Sequence, residues 1–445
     1  MTKLYKTISF LFAPVLSVIG AIFYFAQIPD FCCDVYQYIH IAQSFDQNGF
    51  VFSHSGSDIR NYLYPFFLSI VAKGSIYSIT DFLHFSKLSL VVTVFFSALI
   101  FNYSSYIWLK SRCLSSVCTI FLFFNPLLAT IYTLPLTEMF VFPLFVVFIS
   151  LANLAIHFQG NMVRNSLIFF FFLLLSILVL LRPANIVLIV PVFLFSIYLV
   201  IYRQFNFSII MLGVIVFFIP FIPQVIFNLK VFGNFSFLPV GGLGGKQFLW
   251  GLMYSKYGTF FVDDHAGGLK YNSFLNKDII EKYKENGLLY YLFEFPQSIF
   301  LLCSHLFNSL NYDFLYTYVN KKEYYILSWY QILSSLMTVT GMGYSWVLLR
   351  SLYSFKHRVF EYFLLIILCV FLGMNSFVAV ETRFGMIPHL IFTIFSIRLF
   401  CNKGLVNKYI SFPVFIIIGA GYIVLSIYFS YYFVMELDGV SIKVF

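Results

Sequence analysis

Charge is what this chain has least of: 27 Lys or Arg and 18 Asp or Glu are spread over 445 residues, a tenth of the total. Soluble domains carry roughly a quarter charged residues, so a water-soluble core of this length is excluded. The 61 % of apolar residues and the mean hydropathy of +0.89 are those of a polytopic helical membrane protein. Basic residues are in excess, giving a net charge of +9, yet they are dispersed over short segments. No Lys/Arg cluster with interleaved aromatics is present, which excludes a nucleic-acid partner. Cysteine is scarce too. Seven are present, an odd number with no CxxC pair and no histidines at zinc spacing, so neither a disulfide framework nor a metal site is expected. Cys32 and Cys33 read as packing residues. The chain also lacks a fixed-period repeat and a low-complexity linker, and is therefore read as one membrane domain.

What is there, above all, is long apolar runs. Eleven stretches have the apolar length of roughly 17 to 25 residues that spans a bilayer: about 8–28, 88–109, 114–133, 136–156, 165–181, 184–202, 206–229, 325–349, 359–380, 384–400 and 410–433. The first follows Lys3 and Lys6 as a secretory signal would, but it is long enough to span and ends in no small-x-small cleavage site, so it is expected to remain as a helix. Two further stretches, 62–80 and 296–312, are interrupted by Lys73-Gly74 and by His305 and Asn308. Loop charge decides how these two lie, because cytoplasmic segments collect Lys and Arg. If neither crosses, the cytoplasmic segments hold twelve Lys/Arg against one acid, Glu361. If either crossed alone, every later loop would invert. Both are therefore expected as helices lying at the outer membrane surface, one in each of two large external loops, 29–87 and 230–324. The expected organisation is a transmembrane module over 1–229, the external loop 230–324 and C-terminal transmembrane helices over 325–445, all α-helical.

Ionisable groups within or at the ends of spans cost roughly 2.5 to 3.5 kcal/mol at the bilayer centre and are functional candidates by default. Four positions gather at the expected outer face: Asp34 after the first span, Glu138 opening the fourth, Arg182-Pro183 between the fifth and sixth, and Glu381-Thr382-Arg383 between the ninth and tenth. Each has a plain reading alone, as a helix-start acid, a headgroup anchor or a surface pair. Together they suit one reaction. Arginine grips an anionic lipid phosphate bidentately, and a leaving phosphate needs its charge neutralised more than it needs a proton. An acceptor hydroxyl needs a base, which a carboxylate supplies. One carboxylate base without a covalent intermediate gives inversion at the sugar carbon.

The motifs Asp34-x-Tyr36-x-x-x-x-Ala42, Tyr64-Pro65-Phe66-Phe67-Leu68, Asn125-Pro126 with Thr137-Glu138, Leu181-Arg182-Pro183 and Arg383-Phe384-x-x-x-Pro388 resemble those of the GT-C superfamily of polytopic glycosyltransferases. That superfamily includes the polyprenyl-phosphate-mannose protein mannosyltransferases and the lipid A aminoarabinose transferase. The resemblance covers most of residues 1–203 and returns at 370–400. It implies a GT-C-like fold and Asp34 as the catalytic base. It also implies that Arg383 lies near the lipid phosphate, with Phe384 where the family more often has tyrosine. The family often pairs the first acid with a second, whereas Val35 follows Asp34 here, so no bound metal or other cofactor is expected. The expected activity is inverting transfer of a monosaccharide from a polyprenyl phosphate carrier to a cell-envelope glycan or lipid, on the external side of the cell membrane; a protein acceptor is also within the class. Arg182 would help hold the phosphate, and Glu138 and Glu381 would orient the acceptor or a basic partner. Tyr36, Tyr62 and Tyr64 are placed to stack on a sugar.

Other signals are weaker. Gly241-Gly242-Leu243-Gly244-Gly245-Lys246-Gln247 is not a nucleotide phosphate loop, since Val240 replaces the first glycine and Gln247 the Ser/Thr that would bind Mg²⁺. It reads as a flexible external loop in which Lys246 is a further anion contact. Asp263-Asp264-His265 lacks a second cluster at metal spacing, and His40 and His54 read as ordinary loop hydrogen-bonders. Two other functions fit a polytopic chain. An O-antigen-type polymerase would carry paired large loops with matching Arg-rich motifs, and 230–324 contains no arginine. A lipid-linked oligosaccharide flippase or other transporter would carry mid-span charges and inverted repeats, whereas the charges here gather at one face.

Overall fold

Apolar runs of about twenty residues become helices because an α-helix satisfies every backbone N–H and C=O within a single segment where no water is at hand. The computed structural model describes residues 2–25, 34–48, 59–71, 79–125, 136–158, 161–203, 207–262, 265–271, 277–283, 286–311, 323–326, 329–351, 358–378, 382–401, 409, 411–434 and 441–444. The chain divides into two units, the first ending at Gly242 and the second running from Leu243 to Phe445.

In the first unit, α1 (Thr2–Phe25), α4 (Ile79–Leu109), α5 (Arg112–Phe123), α6 (Glu138–His157), α7 (Asn161–Leu181), α8 (Ile189–Arg203), α9 (Phe207–Phe218) and α10 (Ile222–Phe232) carry the apolar runs, with α2 (Asp34–Asn48) and α3 (Leu63–Val71) between the first two. Its core is α6. Every residue from Glu138 to Ile156 is buried except Leu144 and Val147, and the ring of Phe148 stacks on Phe171 of α7 at 4.5 Å between centroids. On the other side Asn153 Nδ2 donates to the Ser104 carbonyl of α4 at 2.9 Å. Ser115 of α5 donates to Asn102 Oδ1 of α4 at 2.6 Å. Such side-chain bonds contribute where lipid provides no hydrophobic drive between helices.

The second unit comprises α11 (Leu243–Met253), the antiparallel strands β1 (Tyr254–Val262) and β2 (His265–Tyr271), α12 (Lys277–Lys282), α13 (Gly287–Phe293), α14 (Gln297–Leu310), β3 (Glu323–Ile326), α15 (Trp329–Arg350), α16 (Val359–Phe377), α17 (Met386–Cys401), α18 (Phe412–Val434) and β4 (Ser441–Val444), which pairs parallel with β3. Helices α15 and α17 approach closely at Gly341, where an added Cβ would lie 2.7 Å from the Phe392 Cα. A small residue lets two backbones meet there.

The chain is a multi-pass helical membrane protein. Among the described residues eight helical segments are long and apolar enough to cross a membrane: His84–Leu109, Glu138–His157, Met162–Leu181, Pro183–Tyr202, Phe207–Phe232, Gln331–Arg350, Val359–Phe377 and Arg383–Cys401. The other three of the eleven expected spans coincide with shorter apolar helices, Phe10–Phe23, Arg112–Phe123 and Pro413–Tyr428. The two interrupted stretches form α3, of 9 residues, and α14, of 14. At 1.5 Å per residue these reach only about 14 and 21 Å, short of a ~30 Å hydrocarbon core. Small sheets add to the helical architecture, as at Tyr254–Val262, a stretch rich in the aromatic and β-branched residues that favour strands. The glycine-rich stretch expected as a loop is already helical from Leu243.

Candidate functional site

Asp34 and Glu138 share a local logic. Each is the first residue of its helix, α2 and α6, where the positive end of the helix dipole favours a carboxylate. Each also has an arginine brought from elsewhere in the chain.

For Asp34 the partner is Arg60, whose Nη2 donates to Oδ1 at 2.5 Å; the two side chains are 16 % and 15 % exposed. Positions i, i+3 and i+4 share a helix face, so Gln37 and Tyr38 stand beside Asp34, and Arg60 covers all three. Its Nε donates to Gln37 Oε1 at 3.1 Å, and its guanidinium lies 5.2 Å from the Tyr38 ring centroid, a cation–π contact. Tyr36, two positions on, faces another way and is 48 % exposed. His40 is exposed as well.

Arg60 is held by the residues that follow it. Asn61 Nδ2 donates to the Val179 carbonyl at 3.3 Å. The Tyr62 amide donates to Gln224 Oε1 at 3.1 Å and its hydroxyl to the Pro220 carbonyl at 2.6 Å. Pro220 and Pro223 lack amide protons and interrupt the helical ladder; a 3-10 turn, Ile219–Phe221, separates α9 from α10 at that point. Burial pushes the Tyr62 phenol up to about 12, so it stays a donor to that carbonyl at neutral pH.

For Glu138 the partner is Arg182, Nη1 to Oε1 at 3.0 Å, with Glu138 itself only 5 % exposed. Thr137 donates to Oε2 at 3.0 Å. The position of Arg182 follows from Pro183, because a residue preceding proline is driven out of the helical region. Arg182 is extended, φ −142° and ψ 110°, which ends α7 at Leu181. The last turn is closed by the Arg182 amide and Asn185 Nδ2, which both donate to the Leu178 carbonyl at 3.1 and 2.9 Å.

Tyr64 joins the two ion pairs. Fully buried on α3, its ring meets Tyr38 edge-on at 5.0 Å and lies 6.0 Å from Phe140 of α6. Burial first, then the nearby Tyr38 and Glu138, hold its phenol well above the ordinary range. A train results, running by contact from Asp34 through Arg60 and Tyr38 to Tyr64, whose phenol lies near enough to Glu138 to feel its charge, and ending in the Glu138–Arg182 pair, all within the first unit. It assembles Asp34, Tyr64, Glu138 and Arg182 from the sequence candidates, and it adds Arg60, Gln37 and Tyr38, which sequence reasoning did not select. Arg60 did leave a signal, being the single arginine between residues 29 and 87.

Arg383, Lys246 and Glu381 belong to the second unit. Arg383 sits in the 3-10 turn Thr382–Gly385, its guanidinium 5.8 Å from the Phe384 ring centroid. Asn375 Nδ2 donates to the Phe384 carbonyl at 3.1 Å. At Gly385 an added Cβ would come within 1.9 Å of the Ser309 carbonyl oxygen, so only glycine allows α14 to lie against this turn. Lys246 is exposed in the first turn of α11. Glu381, His54 and the pair Asp263-Asp264 lie outside the described residues. Among the described residues no three His, Cys, Asp or Glu side chains cluster as metal ligands.

No family model and no curated protein matches this sequence. Among solved structures the chain is similar to the oligosaccharyltransferase of Archaeoglobus fulgidus in its apo form, with a TM-score of 0.48 and 11 % identity over 96 % of this chain and 56 % of that one. It is similar also to the AglB oligosaccharyltransferase of the same organism in complex with an inhibitory peptide and a dolichol-phosphate, with a TM-score of 0.49 and 12 % identity over 97 % and 55 %. The chain thus spans a little over half the length of these proteins.

Proposed function

We propose that this chain is an inverting membrane glycosyltransferase that moves a monosaccharide from a polyprenyl phosphate carrier to a cell-envelope glycan or lipid on the external face of the membrane. The observation that carries the reading is the train in the first unit: a helix-start carboxylate oriented by a guanidinium and joined through two buried tyrosines to a second Glu–Arg pair.

Asp34 is the base. A carboxylate offers about four acceptor positions, so an acceptor hydroxyl can share Asp34 with Arg60, which fixes the carboxylate's direction. As the hydroxyl oxygen attacks the sugar carbon, its proton passes to Asp34 and the bond to the carrier phosphate breaks; attack from the face opposite the leaving group inverts that carbon. The phosphate leaves as an anion and needs cationic donors. Arg182, oriented by Glu138, takes that role. Tyr36, exposed in the first turn of α2, is open to stacking on sugar.

An apolar cavity supports the lipid carrier. About 490 Å³ in volume, it is lined by Phe172, Ile189, Val192, Phe193, Met211 and Phe217 among others, from α7, α8 and α9. Ile189 follows Arg182 by seven residues, about 14 Å at a 3-10 rise of ~2 Å per residue, which suits a phosphate at the arginine and a hydrocarbon tail in the cavity. The test is transfer of label from a polyprenyl-phospho-sugar to an acceptor by purified protein in vesicles. Transfer of whole lipid-linked repeats, or transbilayer movement of label without transfer, would replace this reading by a polymerase or a flippase.

A further inference from the structure

From Asn286 to Asn311 the chain carries one formal charge, Glu294. The segment folds as α13, a turn and α14. One side of it makes a small core, where Tyr290, Tyr291 and Leu301 pack with Leu252 and Tyr283. The other side is bare: Leu292 is 68 % exposed, Phe293 70 % and Phe295 72 %, with Ile299 and Phe300 about half exposed. On the spans, such values belong to side chains turned outward, as Phe96 at 55 % on α4 and Ile215 at 59 % on α9.

The height of this face is set by what the segment touches. The Tyr291 ring meets Phe377, the last residue of the span α16, edge-on at 5.1 Å, and its hydroxyl donates to the Phe377 carbonyl. His305 Nδ1 lies 3.0 Å from the Ser376 carbonyl. The His389 Nε2, one turn inside α17, is 3.1 Å from the Leu310 carbonyl. The segment therefore rests on one end of α16 and α17, where hydrocarbon gives way to headgroups and aromatic side chains concentrate. Its single acid does not oppose contact with lipid, because Lys282 Nζ and the Tyr283 hydroxyl both hydrogen-bond Glu294 Oε1, at 2.8 and 2.5 Å. A protein partner would be expected to meet a polar rim around such a face, and none is present between Leu292 and Phe300 beyond Glu294, Gln297 and the buried Ser298.

We propose that α13, the turn after it and the first turn of α14 form a monotopic insert, with Leu292, Phe293, Phe295, Ile299 and Phe300 embedded in the lipid leaflet of the membrane that the spans cross. This goes beyond the glycosyltransferase reading and does not rest on it.

The test uses the full chain in phosphatidylcholine vesicles, with Leu292→Trp, Phe293→Trp and Phe300→Trp made singly and the emission of the four native tryptophans subtracted. Interfacial helices bury their apolar face ~5–10 Å deep, so the added emission should fall by about half when the chains are brominated near the headgroup, less when they are brominated at their ends, and hardly at all with aqueous iodide. Quenching by iodide and not by bromine places the face in water and overturns the proposal. Protection from both quenchers that grows with the protein-to-lipid ratio places a second copy there and overturns it equally. The three positions flank the turn on both sides, so a variant that fails to fold leaves the others to decide.

Discussion

Two regions of the molecule hold an acid at a helix start among arginines, and they are built to opposite ends. In the first unit, Asp34 and Glu138 are each the first residue of a helix, and their partners Arg60 and Arg182 sit outside helices, on a loop and at a proline-forced break. The arginines and Asp34 remain about one-sixth exposed. In the second unit Glu361, in the first turn of α16, is 1 % exposed and is held by Arg398 of α17 at 2.8 Å, the Tyr344 hydroxyl of α15 at 2.8 Å and Arg358, the residue before α16, at 3.9 Å, although these arginines are as open as those of the first unit. Tyr362 adds a bond from its hydroxyl to the Leu348 carbonyl at 2.9 Å. Three helices are locked together there. An ion pair does not distinguish a site from a brace; access to the carboxylate, 15 % exposed at Asp34 and 1 % at Glu361, does.

Substitution separates the two. Asp34→Asn keeps the size of the side chain and one oxygen that can accept from Arg60 and removes the base, so transfer is expected to fall by the ~10²- to 10⁴-fold typical of general-base catalysis, with the thermal midpoint in detergent little changed. Near-normal turnover in a folded Asp34→Asn protein removes Asp34 from the mechanism. Glu361→Gln should do the reverse. Stranding a fully buried charge costs about 3–5 kcal/mol, and the cost here is smaller because Arg398 and Arg358 keep some contact with solvent. The thermal midpoint should drop sharply while transfer per folded molecule stays at the parental rate; a selective loss of turnover would make Glu361 more than a brace.

Arg182→Lys tests the nearer pair at a smaller scale. Lysine keeps the charge but not the planar fork that can hold Glu138 and a phosphate oxygen together, and one hydrogen bond to a charged group is worth about 1.5–3 kcal/mol. A raised KM for the lipid donor is expected, with kcat reduced less. An unchanged KM together with a lowered thermal midpoint would move Arg182 to the bracing side of the comparison.

The sequence shows helical spans directly, because twenty apolar residues in a row admit one solution in a bilayer, and Pro183 marks the place where Arg182 must leave its helix. Glu138 was legible as a helix-start acid, whereas Asp34 reads as an acid of the external loop 29–87 and proves to open α2. What the sequence could not show is pairing. Arg60 lies 26 positions from Asp34 and reaches it through the fastening of Tyr62 to Pro220 and Gln224, contacts across more than 150 residues that no local pattern records. Glu361 looked like a stray acid among basic segments, since burial by Tyr344 and Arg398 is a property of packing. The exposed face of α13 was hidden for the same reason: its alternation of Tyr290 and Tyr291 inward with Leu292 and Phe293 outward has no meaning until Phe377 is placed against it.

The smallest effect expected concerns Glu294, an acid of the second unit outside the spans. Hydrogen bonds from Lys282 and then Tyr283 hold the Glu294 carboxyl below its ordinary range, so its ionised form is favoured in the folded chain. A depressed carboxylate stabilises the fold above its unfolded pKa, and that contribution is lost as pH falls through the folded value. Lys282 is largely exposed and screened by solvent, so the effect is local: amide exchange over α13 should quicken on acidification below the ordinary carboxylate range, and Glu294→Gln should remove that acid dependence while leaving exchange in α16 unchanged. Exchange in α13 that ignores pH in the parent would mean that the Lys282–Glu294 contact does not hold this segment, and the contrast between exposed and enclosed acids would then rest on the first unit and Glu361 alone.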